Sequence, residues 1–279
     1  MLPLAKETRD PSNEVVLFWS ARDRRLLPEA PVSRHIDVAD SFLVDDGRVR
    51  GLTYHCERFV DSCALRGVSE EATRAFWRSA CRVLPRTGRW FPRVEFAQTS
   101  GFRLRLRPAP EPSSSVVLGV AHEPDARRAP RIKGPDFELL SEARRKVAQD
   151  GATEALLLTS TGVVLEGAFS SILWWRGDML CLPPPYLPIL PSVTRRMIVE
   201  LARAQGIEVR FETCLPSDLD GLEVWAVSAL NGIRPAIAWA GRPFTAKMPT
   251  KAPAWQDALC KLARSHHDTQ PSNDDFARV

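Results

Sequence analysis

Three features of this chain have the residue types and order to do chemistry together. Lys133 stands in R-I-K-G-P-D-F-E-L-L, and Glu166 follows in G-V-V-L-E-G-A-F-S-S. The run L-P-S-V-T-R-R-M-I-V-E-L-A then begins at Leu190. A lysine amine can condense with an aldehyde and, once released, carry a proton. A glutamate flanked by Val164, Leu165 and Ala168 is held away from open solvent, where its carboxylate can keep a ring nitrogen protonated. The first N–H groups of a helix that starts at Val193 and Thr194 have no acceptor within the helix and favour a phosphate. The Thr194 hydroxyl can add a donor. An aldehyde, a ring nitrogen and a phosphate are the three handles of pyridoxal 5'-phosphate (PLP).

Two more stretches extend the set. Arg58 closes His55-Cys56-Glu57-Arg58, directly after D-G-R-V-R-G-L-T-Y. Its planar guanidinium donates two hydrogen bonds at once and so suits phosphate oxygens. His55 reads as a structural neighbour of the site. Ser228-Ala229-Leu230-Asn231-Gly232-Ile233-Arg234-Pro235 is a further loop that carries a hydroxyl, an amide and a guanidinium close together. Any one of these residues alone would be an ordinary solvated side chain; the ordered set carries the reading.

These residues need a scaffold. V-V-L-F-W-S (15–20) is a strand, and S-F-L-V-D-D-G-R-V-R-G-L (41–52) is a hairpin around an Asp-Gly turn. Residues 54–67 have helical spacing, with Phe59, Cys63 and Leu65 able to face a core and Gly67 as the stop. Residues 69–84 form a second helix, capped by Ser69 with Glu70 and Glu71 in its first turn. Strands follow near 93–98, 102–107 and 116–121. In the second of these, Arg103 and Arg105 alternate with Leu104 and Leu106, as in a half-exposed strand. The Pro- and Arg-rich stretch 122–134 reads as a junction between a small N-terminal α/β domain (14–125) and a larger C-terminal domain (126–264). Beyond it come a helix over 136–151, strands over 154–175, an amphipathic helix over 193–207 and strands within 208–216 and 222–230. Residues 1–13 and the tail from Ser265 to Val279 have the composition of flexible termini.

Bulk composition narrows the class. The 279 residues are 44% hydrophobic and 26% charged, ordinary for a globular protein, with a formal net charge of +4. Arginines spread along the chain do not make a nucleic-acid face, and mild positive charge suits a small anionic substrate better. The six cysteines (56, 63, 81, 181, 214 and 260) show no C-x-x-C, so no metal site is expected. They read as buried free thiols, in keeping with a reducing cytoplasm. The N-terminus lacks the apolar core of a signal peptide, and no apolar run approaches the roughly 20 residues of a membrane span.

With these motifs in this order, the chain resembles the class IV (fold-type IV) PLP enzymes from about Ser41 to Phe244. That family holds branched-chain aminotransferases, D-amino-acid aminotransferases and 4-amino-4-deoxychorismate lyases. The resemblance implies a two-domain α/β (α+β) fold with a barrel-like sheet in the larger domain. It also implies PLP as cofactor and a homodimer whose active sites are closed by the partner's loops. In that frame Lys133 is the Schiff-base lysine and Glu166 pairs with the pyridine nitrogen. Arg58, Val193, Thr194, Ser228, Ala229 and Leu230 surround the cofactor phosphate, and Arg234 and Asn231 face the substrate. Ser192 replaces the usual glycine of L-P-G; serine tolerates a left-handed backbone poorly, so the loop is expected to differ slightly.

Aminotransferases of the family tend to carry S-G-T-A where this chain has S-A-L-N-G-I-R-P, a sequence closer to the lyases, though with Ser228 for their usual Asn. The aminotransferase tyrosine after the lysine is also missing, since the chain has only Tyr54 and Tyr186. The implied reaction is conversion of 4-amino-4-deoxychorismate to 4-aminobenzoate and pyruvate. The alternatives are an aminotransferase for branched-chain, aromatic or D-amino acids, and a non-catalytic paralogue with a binding role.

Overall fold

The computed structural model describes residues 14–28 and 35–266. Of the flexible termini expected at 1–13 and 265–279, residues 1–13 and 267–279 lie outside the described residues. Alternating apolar residues build a five-stranded antiparallel sheet. Its order is β2 (Arg25–Pro28), β1 (Val15–Ser20), β8 (Gly101–Leu106), β7 (Arg93–Ala97) and β3 (Val38–Ser41). Helices α1 (Leu52–Ala64) and α2 (Glu70–Arg82) cover one face. Phe59, Phe76 and Trp77 pack there on Val94, Phe96, Phe102 and Leu104. The N-terminus of α2 is set by Ser69, whose Oγ accepts the Ala72 N–H at 3.2 Å.

Three expectations fail around this sheet, each because a distant contact or helix geometry overrides local pattern. Leu65 is 72% exposed. Six residues beyond Phe59, it is turned roughly 120° from the buried face of α1. Arg103 is buried, not half-exposed, because Glu95 on the neighbouring strand pairs with it at 3.3 Å and the His35 carbonyl accepts from it at 3.0 Å. At the C-terminal end, the expected flexible tail begins too early. β17 (Arg264–Ser265) pairs with β5 (Arg48–Val49) of the Asp-Gly hairpin, whose other strand is β4 (Val44–Asp45). His266 is buried beside it, its N–H bonded to the Gly47 carbonyl at 3.1 Å.

The larger sheet is mixed and has eight strands. Its order is β11 (Val164–Gly167), β10 (Glu154–Leu158), β9 (Val116–Val120), β16 (Gly232–Ala240), β15 (Glu223–Ser228), β12 (Ser171–Arg176), β13 (Met179–Leu182) and β14 (Val209–Phe211). β9 runs parallel to both β10 and β16, so the chain has already entered this sheet before the Pro- and Arg-rich stretch. α4 (Val193–Ala204) and α5 (Ala252–Cys260) bury Met197, Ile198, Ala202 and Trp255 against Trp175 and Trp225. α3 (Phe137–Ala148) packs through Val147 beside Ala152 and Ala155. All six thiols are free, but they are not all buried: Cys56 is half-buried, and Cys260 is exposed at the last residue of α5. No helix among the described residues is long and apolar enough to cross a membrane.

Candidate active site

One cavity brings every singled-out residue together. Arg58, Lys133, Glu166, Val193, Thr194, Ser228, Ala229, Leu230, Asn231 and Arg234 all line it. Ser41 and His55 from the first sheet and α1 line it as well.

Lys133 lies on the irregular stretch between β9 and α3. Its carbonyl accepts the Ala39 N–H at 2.6 Å, which fastens that stretch to β3. Gly134 makes the approach possible: its φ is +131°, and a Cβ there would meet Ala39 N and Ile36 Cγ2 at 3.0 Å. Lys133 Nζ lies 5.4 Å from the Phe137 ring centroid and has no hydrogen-bond or ion-pair partner among the described residues. Burial and the neighbouring Arg58 guanidinium push the amine down to about 8. About a tenth of such amines are neutral at pH 7, against well under a thousandth for an ordinary lysine.

Glu166 is buried on β11, with its two oxygens used differently. Oε1 accepts from Arg127 Nη1 at 2.8 Å and from the Leu190 N–H at 2.9 Å. Oε2 has no donor among the described residues, so one carboxylate oxygen is left for a ligand. Burial raises the pKa of Glu166, and Arg127 works against that rise. Arg127 is itself held by Asp125, with Nη2–Oδ2 at 2.8 Å. The composition of the 122–134 stretch signals a loop and nothing about this buried triad.

Arg58 is anchored by groups of the protein. Its Nε and Nη2 donate to Asp40 Oδ2 and Oδ1, both at 2.8 Å, and Nη1 donates to the Pro191 carbonyl at 3.1 Å. Asp40 is fully buried on β3 and also bonds His55 Nδ1 at 2.7 Å. Burial opposes its charge, but Arg58 and His55 hold its carboxyl well below the usual range. Sequence reasoning missed Asp40, since no short motif marks it and its partners Arg58 and His55 lie on α1.

Ser192 does not disturb the start of α4. Its φ is −74°, an extended backbone that any residue adopts, and its Oγ caps the Arg195 N–H at 3.2 Å. Its carbonyl takes the Arg196 N–H at 3.0 Å. The N–H groups of Val193 and Thr194 are left without acceptors among the described residues.

The 228–231 loop is held from behind by Arg50, which donates to the Ala229 carbonyl at 3.0 Å, and by Gln256, which donates to the Asn231 carbonyl at 3.1 Å. Asn231 Oδ1 accepts the Ser113 N–H at 3.1 Å. Arg234 is 9% exposed in the cavity wall, with Nη2 at 3.2 Å from buried Glu154 and Nε without a hydrogen-bond partner.

The family model described as amino-transferase class IV matches residues 37–239. An aminodeoxychorismate lyase of Bacillus subtilis is 33% identical over 110 residues, 38% of this chain and 36% of the lyase. The chain thus spans about a third of that relative's length. A bifunctional aminodeoxychorismate lyase / D-amino acid transaminase of Mycobacterium tuberculosis is 27% identical over 231 residues, 70% of this chain and 78% of that protein. Among solved structures, a hypothetical aminotransferase from Mycobacterium tuberculosis in its apo form superposes with a TM-score of 0.76 at 21% identity, covering 92% of this chain and all of the other. At that identity the likeness speaks for the fold: a mixed α/β architecture with a curled half-barrel sheet. With the family match extending over most of its length, the chain belongs to amino-transferase class IV.

Proposed function

We propose that this chain is a PLP-dependent lyase that converts 4-amino-4-deoxychorismate to 4-aminobenzoate and pyruvate. The observation that carries the cofactor is one cavity holding an unpaired amine, a carboxylate with one oxygen unused, and an anchored arginine near the open N-terminus of α4. Lys133 would hold the aldehyde carbon and Glu166 Oε2 the ring N–H. Arg58, Val193, Thr194 and the Ser228–Leu230 loop would hold the phosphate.

PLP, when bound, supplies an electron sink for negative charge on the substrate carbon bearing the amine. The protein does the rest. Lys133 would be the base that takes the proton from that carbon. Glu166 would bond the ring nitrogen and favour its protonated form, and Arg127, 2.8 Å away, would favour the charged form of Glu166. Arg234 lines the cavity, where its guanidinium would receive a substrate carboxylate. Departure of the enolpyruvyl ether as pyruvate lets the ring become aromatic.

The A-L-N-G-I-R-P loop and the lyase relatives favour this reaction. The bifunctional relative favours a second reading, amino-group transfer. A product assay decides. Aminodeoxychorismate is expected to yield 4-aminobenzoate. Transfer between amino acids and 2-oxoglutarate or pyruvate, with no 4-aminobenzoate formed, overturns the lyase in favour of the aminotransferase. We further infer a homodimer working in the cytoplasm, consistent with six free thiols and the commonness of two-fold assemblies. An active monomer in sedimentation at micromolar concentration contradicts the dimer.

Two measurements test residue roles. A neutral amine attacks the aldehyde, so the rate of PLP uptake by apoprotein should rise about tenfold per pH unit below 8 and level off above it. A rate still rising steeply at pH 10 would mean an unperturbed lysine. Arg234→Ala should raise KM for aminodeoxychorismate by about one to two orders of magnitude, with PLP absorbance unchanged. Because the change strands buried Glu154, Arg234→Lys is the companion variant; unchanged KM in both removes Arg234 from the substrate site.

A further inference from the structure

We propose that Glu154 is the internal counter-ion of Arg234: it fixes the pose of that guanidinium and holds down its affinity for a carboxylate. The proposal deepens the lyase reading and rests on it for Arg234 as the substrate's carboxylate site. Glu154 acts through Arg234 and is therefore a positioning residue.

Glu154 opens β10 and Arg234 lies on β16, with β9 between the two strands. Glu154 is 1% exposed, yet both side chains line the cavity. Every bond to the carboxylate comes from a donor. Oε1 accepts the Ala155 N–H at 3.2 Å and the Phe169 N–H at 3.3 Å. Oε2 accepts the Ser170 hydroxyl at 3.0 Å and Arg234 Nη2 at 3.2 Å. One oxygen thus fastens Glu154 to the backbone, and the other is shared between a hydroxyl and the guanidinium.

The backbone that Glu154 grips belongs to the turn after Glu166. β11 ends at Gly167, whose N–H bonds the Ser170 carbonyl at 2.7 Å. A Cβ on Gly167 would collide with Ser170 Oγ and come within 3.2 Å of Glu154 Cγ, so the turn closes on Glu154 only because this residue is glycine. Glu154 therefore ties Arg234 to the strand end that carries Glu166. Those two residues are assigned to the substrate's carboxylate and the cofactor's ring nitrogen. A shift of Glu154 moves one against the other.

A pair with only a structural task gains little from its charges, since apolar residues of the same volume often serve a buried ion pair's place as well. This pair instead faces a cavity, and its arginine is incompletely used: Nη1 makes no hydrogen bond among the described residues. A bare guanidinium in such a wall would hold any small anion. With Glu154 behind it the pair is neutral, and an incoming carboxylate meets a repelling charge just beyond the guanidinium. The ligand is held more weakly than by a bare guanidinium, but in one pose, which is what the chemical step needs.

Isothermal titration of the PLP-treated protein with benzoate, a ring with one carboxylate, reads the counter-ion. Glu154→Gln keeps the side chain's size and an acceptor oxygen but removes the charge. It should bind benzoate about tenfold more tightly than wild type. With aminodeoxychorismate the same variant should show a lower KM together with a kcat about tenfold lower, since Arg234 is no longer aimed. A residue needed only for folding would not tighten a ligand when replaced. Benzoate bound by Glu154→Gln as in wild type, or more weakly, overturns the proposal. In Glu154→Gln/Arg234→Gln the tightening should vanish; its persistence shows that the carboxylate does not sit on Arg234 and also overturns it. If Glu154→Gln alone does not fold, this neutral double variant is compared with Arg234→Gln, which leaves the Glu154 charge facing the ligand. The double variant should then bind benzoate more tightly, and equal affinities or the reverse order overturn the proposal. The product assay is run on the same samples. Tightening in a protein that forms no 4-aminobenzoate fails the lyase reading alone; 4-aminobenzoate from a wild type whose Glu154→Gln variant binds benzoate no more tightly fails this proposal alone.

Discussion

Replacing Lys133 with alanine is expected to lower turnover by about 10⁴-fold, the upper end for loss of a general base, because the same amine also holds the cofactor. The loss should be chemical, not structural. Nζ has no partner among the described residues, and the folded protein disfavours its charged form. A base whose pKa is lowered on folding penalises the folded state at pH values below the unfolded pKa, and alanine removes that penalty. Compared as apoproteins at pH 7, Lys133→Ala should therefore unfold at the same or a higher urea concentration than wild type. Turnover within tenfold of wild type, or a variant that does not fold, would contradict the role.

The second large effect is expected at Arg127. Arg127→Leu leaves Asp125 and Glu166 buried without their shared cation. Removing one partner of a buried pair costs about 3–5 kcal/mol. The variant should carry a pH signature. Burial already raises the pKa of Glu166, and loss of Arg127 raises it further. An acid whose pKa is raised on folding contributes stability that is complete below its unfolded pKa. That stability is lost as pH rises through the folded pKa. The deficit of Arg127→Leu should thus be smaller at pH 5 than at pH 8. Urea unfolding at the two pH values checks this; an equal deficit at both, or one under about 1 kcal/mol, shows that Arg127 does not hold Glu166 charged.

What was legible in the sequence follows from the range of the interactions involved. Lys133, Glu166 and the start of α4 could be singled out because three short stretches follow one another in a recognisable order. The Ser69 cap could be read because it reaches only three residues along the chain. Asp40 could not, since its importance comes from Arg58 and His55 on a helix that packs against its strand. Arg127 and Glu154 were hidden for the same reason: each finds its partner, Glu166 or Arg234, across the larger sheet. Local pattern misled where a distant element added order or burial, as when β17 joined β5 and drew Ser265 and His266 into the structure. It also misled at Arg103, where alternation was correct but the second face is covered. Ser192 is the reverse case: the departure from the family motif leaves an extended backbone there, and the serine caps α4.

The most direct test is borohydride reduction of the PLP-treated protein followed by peptide mapping. The account predicts a yellow protein that bleaches on reduction, with one pyridoxyl group fixed on Lys133 and none in Lys133→Ala. A colourless protein that takes up no PLP, or a pyridoxyl group found on another lysine while Lys133 stays unmodified, would contradict it.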